Sequence, residues 1–132
     1  MNAIARSAWN RLFGDRGERA AASYLKQHGM RILARGYRIP QGEIDLIARE
    51  GDIVVFVEVK TRKQGTPAEA VNLAKQKRLT DAALHFLKRH HLLEGRWRFD
   101  IIAIVWPQVG GKPTIEHIPH AFESVGRWQM FR

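Results

Sequence analysis

Residues 42–60 read GEIDLIAREGDIVVFVEVK and predict a β-hairpin. The runs on either side of Gly51-Asp52 are rich in β-branched and apolar residues, which favour strands. Gly51-Asp52 itself is typical of a two-residue hairpin turn. Counting outward from this turn places Asp45 directly opposite Glu58.

The predicted pairing of Asp45 with Glu58 points to chemistry. Facing residues of a hairpin have Cβ atoms about 4.5–5.5 Å apart, and like charges at that distance repel. Two carboxylates held so close need a cation or a shared proton between them. Lys60 lies two residues beyond Glu58 and therefore on the same face of the strand. Two carboxylates and an ammonium on one face are typical of metal-assisted phosphodiester hydrolysis.

A structural explanation of the same residues stays open beside this one. In the same register Glu43 faces Lys60, so a cross-strand ion pair would account for both. Asp45 and Glu58 would then lie on a solvated face. However, residues 53–59 are apolar on both faces, which predicts a strand covered on both sides. Buried charges in such a strand need a partner, which favours a site.

Composition favours a single domain over residues 1–132 with a polyanionic partner. The chain has 45% hydrophobic and 27% charged residues, as soluble globular proteins do. Its 22 Lys and Arg against 13 Asp and Glu give a net charge of +9. Such an excess favours nucleic acid, although a ribosomal surface or anionic lipid would attract it too.

The absence of cysteine excludes disulfides and thiolate metal sites. The first residues lack the apolar core of a signal peptide, and no run is long enough for a transmembrane helix. We therefore expect a cytoplasmic location without stable membrane insertion.

The rest of the chain predicts two helices and three further strands. With the hairpin, the order is α-β-β-β-α-β-β, which indicates an α/β fold with a mixed central sheet flanked by helices. The predicted elements are an arm or short helix at 1–13, a helix at 17–28, strands at 30–39, 43–50 and 53–60, a polar loop at 61–66, a helix from Pro67 to about Leu93 capped by Thr66, strands at 98–106 and 114–118, and an irregular tail at 119–132.

Polar side chains extend the apolar stripes of both helices towards the sheet. The stripe within residues 79–87 continues one turn back to Lys75 and Gln76, and the stripe within 21–25 continues back to Glu18. First-turn residues are often exposed, and an acidic residue there suits the helix dipole. Glu18 alone is thus equally consistent with a structural role. Together with the hairpin residues, these positions favour a converging polar pocket.

Several motifs in order resemble the YraN-like family of small bacterial proteins. The resemblance covers roughly residues 14–105. It implies a restriction-endonuclease-like PD-(D/E)xK fold similar to archaeal Holliday-junction resolvases, and with it a homodimer. The matching motifs are Gly14-x-x-Gly17-Glu18, Gly42-Glu43-Ile44-Asp45-Leu46-Ile47-Ala48, Phe56-Val57-Glu58-Val59-Lys60-Thr61-Arg62, Pro67-x-Glu69-Ala70-Val71-x-x-x-Lys75 and Arg98-Phe99-Asp100.

The resemblance implies a Mg²⁺-dependent nuclease acting on DNA, including branched or structured DNA, with RNA also open. Asp45 and Glu58 would bind Mg²⁺, or Mn²⁺ in its place, together with the Val59 carbonyl. Glu18 would act through a water or hold a second ion. Lys60 would orient or deprotonate the attacking water. The remaining implied roles are phosphate or water binding by Lys75 and Gln76, and contacts to flanking phosphates by Arg62, Lys63, Lys77 and Arg78.

Two departures from the family pattern stand out. Gly36 lies where many members carry Asn, and Ile44 stands where the motif has its proline. Both leave the acidic residues in place, but the first puts any role of that loop in doubt.

Histidines and tryptophans are better explained by packing. His85, His90 and His91 lack acidic partners at ligand spacing, and the His117-x-x-His120 pair straddles Pro119, which favours packed or solvated side chains over a zinc site. Trp97, Trp106 and Trp128 are favoured as packing residues over base-stacking platforms.

Two other functions compete with the nuclease. One is a nucleic-acid-binding module that retains the nuclease fold without turnover. The other is a basic protein docking to ribosome or membrane surface, with purely structural acids.

Overall fold

Five strands form one sheet in chain order, and only the third and fourth strands run parallel to each other. The computed structural model describes the backbone of residues 3–125 and the side chains of residues 15–125. The predicted α/β order and mixed sheet flanked by helices are confirmed. The elements are α1 (Ala3–Gln27), β1 (Arg31–Ile39), β2 (Gly42–Glu50), β3 (Ile53–Lys63), α2 (Leu73–Arg89), β4 (Trp97–Trp106) and β5 (Thr114–Phe122).

The predicted hairpin forms in the predicted register. Pairing of β2 with β3 runs from Glu50–Ile53 to Leu46–Val57. Gly51 has φ +60°, a backbone conformation that glycine adopts without strain. This register directs the Asp45 end of β2 towards Glu58.

The strand β3 is buried on both faces, as its apolar run predicts. On one face α1 packs Ala21 and Leu25 against Val55 and Val57. On the other face the α2 stripe around Phe86 packs against Phe56 and its neighbours. Glu58, Lys60 and Lys63 follow this apolar run on β3 and therefore lie at one end of the core.

The predicted start of the long helix is wrong. α2 begins at Leu73, not at Pro67, because Asn72 caps it: Asn72 Oδ1 accepts the N–H of Lys75 at 2.9 Å. Asn is at least as good a helix cap as Thr66, the residue predicted to cap this helix. Residues 67–72 lie outside the helix, and Val71 packs on the core beside α2. The helix also ends at Arg89 rather than near Leu93, and His91 beyond it has φ +57°.

Three other boundaries differ from prediction. α1 starts at Ala3 instead of at residue 17, so Gly17 lies inside a helix. β3 continues through the predicted polar loop to Lys63 because β4 pairs with it up to Lys63–Trp106. β5 continues past Pro119 to Phe122. As an edge strand it tolerates a residue that cannot donate to the ladder. Of the predicted tail, residues 126–132, with Trp128, lie outside the described residues.

The two faces of the sheet are covered by different helices, α1 on one face and α2 on the other. α2 packs against β1 and β2. On the β4–β5 part of that face, the segment 66–71 lies over the sheet and leaves a cavity beneath it. Within residues 3–125, no helix is long and apolar enough to cross a membrane.

Candidate active site

A close approach of α1 to β3 brings Glu18 to the hairpin. A Cβ atom at Gly17 would overlap the methyl group of Thr61. Only glycine lets the helix backbone lie this near the strand. Burial raises the pKa of the adjacent Glu18, and the charges of Asp15, Glu43 and Glu58 raise it further. The helix acid and the strand acids therefore converge in space.

Asp45 is a half-buried carboxylate tied to β3. Its Oδ2 accepts the backbone N–H of Val59 at 2.8 Å. Burial, together with the negative charge of Glu58, raises its pKa to about 7. The hydrogen bond from Val59 and the charge of Lys75 act in the opposite direction. Asp45 thus gains or loses a proton near neutral pH, which is typical of functional carboxylates.

Glu58 lies next to Asp45 and is 5% exposed. The Nζ atom of Lys75 is 2.8 Å from its Oε1. The sequence left open an ion pair between Glu43 and Lys60. This pair does not form, because Glu43 pairs with Arg38 at 3.0 Å. A helix lysine rather than a strand lysine therefore neutralises the strand glutamate.

Lys60 and Gln76 face the cavity beneath segment 66–71. Lys60 lies on the wall formed by β3, and Gln76 lies near the start of α2. The Nε2 of Gln76 donates to the Val71 carbonyl at 2.7 Å, which holds its side chain at the cavity edge. Both residues thus border the same cavity.

The predicted phosphate-binding residues divide into two groups. Arg62 lines the cavity and donates from Nη1 to the Thr66 carbonyl at 2.7 Å. Lys77 and Arg78 are exposed on α2, and Lys77 pairs with Asp81 at 3.0 Å. Lys63 is exposed at the end of β3. Lys75 differs from both groups, since it is paired with Glu58.

The donor set fits a hard cation. Asp45 and Glu58 offer carboxylate oxygens, which Mg²⁺ prefers, and Mg²⁺ commonly uses one or two carboxylates with water and substrate phosphate. The Lys75 ammonium shows that a positive charge is accommodated beside Glu58. Among the described side chains, no three or more His, Asp or Glu residues form a ready metal cage. The carboxylates fit a cation that keeps several of its waters.

A buried network around Asp100 was missed by sequence reasoning. Asp100 is fully buried and accepts hydrogen bonds from Arg98 Nε at 2.9 Å and from the backbone N–H of His120 at 3.1 Å, while its Oδ2 is 2.7 Å from His117 Nε2. Burial alone would lower the pKa of Arg98, but its hydrogen bonds to Asp100 and Glu50 raise it. The signal available was Arg98 and Asp100 interrupting an apolar strand. This network joins β4 to β5 and to the hairpin end.

Trp97 and Trp106 pack against other residues of the protein, as the sequence favours. Trp97 makes edge contacts with Phe56 and Phe99. The guanidinium of Arg16 lies 4.4 Å from the centre of the Trp106 ring. These contacts occupy both tryptophans within the protein.

Comparison of the chain with known proteins shows a matching family. Residues 17–104 match the uncharacterised protein family UPF0102. A UPF0102 protein of Geobacter metallireducens is 45% identical over 120 residues, covering 89% of this chain and 97% of the relative. A UPF0102 protein of Chloroflexus aurantiacus is 47% identical over 117 residues, covering 88% and 94%. One of Rhodococcus opacus is 48% identical over 118 residues, covering 87% and 99%.

The matched region contains Glu18, both hairpin carboxylates and the whole of α2. It agrees with the YraN-like resemblance seen in the sequence motifs. The chain therefore belongs to the UPF0102 family.

Proposed function

We propose that this protein is a Mg²⁺-dependent nuclease that hydrolyses phosphodiester bonds in DNA, including branched or structured DNA. One observation carries the proposal. Two carboxylates of one hairpin lie next to each other, Asp45 half-buried and Glu58 buried, and the pKa of Asp45 is raised to about 7. Such an arrangement costs stability unless it serves a cation or a proton.

The metal would be held by Asp45 and Glu58, with the Val59 carbonyl and waters as further ligands. Bound there, Mg²⁺ would supply Lewis-acid polarisation of the phosphate and a more acidic water. Because Glu58 is buried and Asp45 is half-buried, these charge interactions would be stronger than in bulk water.

The chain's own side chains would divide the remaining work. Lys60 would orient the attacking water and stabilise negative charge on the phosphate, because it lines the cavity and lies two residues beyond Glu58 on β3. Gln76 would donate to the phosphate or the water. Lys75 would exchange Glu58 for a phosphate oxygen, and Glu18 would act through a water of the site.

The net charge of +9 supports nucleic acid as the partner. Arg62, Lys63, Lys77 and Arg78 would contact flanking phosphates. Each such contact releases counterions, so binding should weaken steeply with salt. A homodimer and a cytoplasmic location remain parts of the proposal, and sedimentation of the free and DNA-bound protein tests the first.

A second candidate is a non-catalytic nucleic-acid-binding module. The observation favouring it is that Glu58 is already neutralised by Lys75 at 2.8 Å. A protonated Asp45 would complete a cluster that needs no metal. This module would bind DNA without any need for Mg²⁺, so its binding would persist in EDTA.

Cleavage of labelled junction, flap, duplex and single-stranded DNA, in Mg²⁺, Mn²⁺ or EDTA, separates the two. The nuclease predicts metal-dependent products from at least one substrate, absent with Asp45→Asn. Salt-sensitive binding without products on any substrate supports the binding module instead.

A further inference from the structure

We propose that the cavity beneath segment 66–71 holds one unpaired nucleobase next to the scissile phosphate. This inference rests on the proposed nuclease function and names its substrate class: nucleic acid with an unpaired nucleotide at the cleavage position. The cavity has a volume of about 590 Å³, within the range of small-molecule sites.

The sheet places this cavity beside the catalytic strand. Lys60 pairs with Ala103, which pairs with Glu116, so the three lie in one row across β3, β4 and β5. The neighbouring row runs from Glu58 through Ile101 to Ile118. With strands about 4.8 Å apart, Glu116 lies about 9.5 Å across the sheet from Lys60. A nucleotide whose phosphate lies at Lys60 would therefore extend its base over β4 and β5.

The cavity lining suits a base rather than a second phosphate. Its floor is apolar, and its cationic groups come from β3 on one side. Glu116 on the far side repels phosphate, which orients the nucleotide with its base away from β3. A carboxylate there accepts a hydrogen bond from an exocyclic amino group, as carboxylates do from cytosine. The side chains forming the floor and its far edge are Ile101, Ala103, Ile118, Ala121 and Phe122.

An unpaired base enters such a cavity more readily than a paired one. Extracting a base from a duplex costs a few kcal/mol of stacking and pairing, and least where the base is already single-stranded. Segment 66–71 covers the cavity opposite the sheet, so the base would lie between this segment and the floor. Fully paired duplex should therefore be the poorest substrate.

The test uses single-stranded DNA carrying 2-aminopurine, whose fluorescence reports on its stacking environment, with Asp45→Asn as a binding-competent background. Ala103→Trp fills the cavity. Ile118→Trp also fills it, from a position that is already 38% exposed, and it therefore remains usable if Ala103→Trp does not fold. Val109→Trp, at an 87% exposed position outside the cavity, is the control. We expect the fluorescence change to fall at least tenfold with either cavity variant and to persist with the control.

Cleavage gives an independent readout in the otherwise native protein. An abasic residue beside the cut should lower cleavage there at least tenfold, whereas abasic residues elsewhere should not. Equal fluorescence changes in all variants, or equal cleavage beside abasic and normal residues, would overturn the base site. Absence of all cleavage by the native protein would overturn the nuclease instead, and the fluorescence result would still decide the base site.

Discussion

The ammonium of Lys75 lies 2.8 Å from the carboxylate of Glu58, at the place where the sequence predicts a metal ion. Mg²⁺ bound there, as proposed, would compete with Lys75 for one carboxylate. Without a metal, Lys75 neutralises an acid that is only 5% exposed. On the proposed function, a bound cation would free Lys75 for a phosphate at the start of α2.

Lys75→Met should test this competition through stability. It leaves Glu58 without its ion pair, and breaking a buried pair costs about 3–5 kcal/mol. Because the Lys75 side chain is 38% exposed, we expect a smaller loss, below about 3 kcal/mol. Urea unfolding in EDTA measures it, and Mg²⁺ should recover part of the loss. Lys77→Met removes an exposed helix pair and should cost only about 0.5 kcal/mol. Equal losses in the two variants would show that the Lys75 pair has no special role.

Asp45→Asn should stabilise the metal-free protein at alkaline pH. The pKa of Asp45 is raised from 3.8 to about 7 in the folded state. Between these values the folded protein retains a proton that the unfolded chain releases, so stability falls as pH rises, and the penalty is complete above about pH 7. At about 1.4 kcal/mol per pKa unit, removing this penalty raises the free energy of unfolding by at most about 4 kcal/mol at pH 8, and by nothing near pH 4.

Thermal unfolding across this pH range checks the Asp45 prediction. Asparagine can still accept the Val59 N–H, so the strand contact is retained. Asp52→Asn is the matched control, since Asp52 lies at the exposed turn of the same hairpin. An Asp45→Asn protein less stable than the native one at pH 8 would contradict a strained carboxylate.

Magnesium should raise the melting temperature above pH 7 and have less effect at pH 5.5. Only ionised carboxylates bind the ion, and protons compete with it below the raised pKa of Asp45. At 100 times the dissociation constant, the stabilisation would be about 2.7 kcal/mol. Asp45→Asn should lose the shift and Asp52→Asn should keep it. A shift that survives in Asp45→Asn would place the ion elsewhere.

Gly17→Ala should destabilise the protein although alanine is the better helix former. In an open helix the change gains about 1 kcal/mol. Here the added methyl overlaps the Thr61 methyl, and overpacking of this kind typically costs about 1–3 kcal/mol. Thr61→Ser removes the opposing methyl, so the double variant should recover much of the loss in chemical unfolding. Additive effects of the two substitutions would rule out this contact as the reason for Gly17.

Local patterns in the sequence predicted much of the fold. The turn at Gly51-Asp52 fixed the hairpin register, and apolar spacing predicted the buried stripe of α2. Both depend on neighbours in the chain, whose geometry is set by helix and strand periods. The predicted start of α2 was wrong because Asn72, rather than Thr66, caps the helix by accepting the N–H of Lys75.

The sequence predicted which residues form the site better than it predicted which of them pair with each other. Spacing brings Asp45, Glu58 and Lys60 to one end of the hairpin. That Lys75 rather than Lys60 reaches Glu58 depends on how α2 lies across the sheet. The Asp100 network joins residues of β4 and β5, and the cavity joins residues of β3, β4 and β5, all distant in the chain.

The initial rate of DNA cleavage at saturating Mg²⁺, compared between native protein, Asp45→Asn and Asp52→Asn, tests the central claim most directly. The substrate is whichever of the junction, flap and single-stranded DNAs the native protein cuts fastest. We predict that Asp45→Asn loses at least 100-fold in rate while remaining folded, and that Asp52→Asn matches the native protein. Equal rates for all three, or no cleavage of any substrate by the native protein, would contradict a nuclease centred on Asp45 and Glu58.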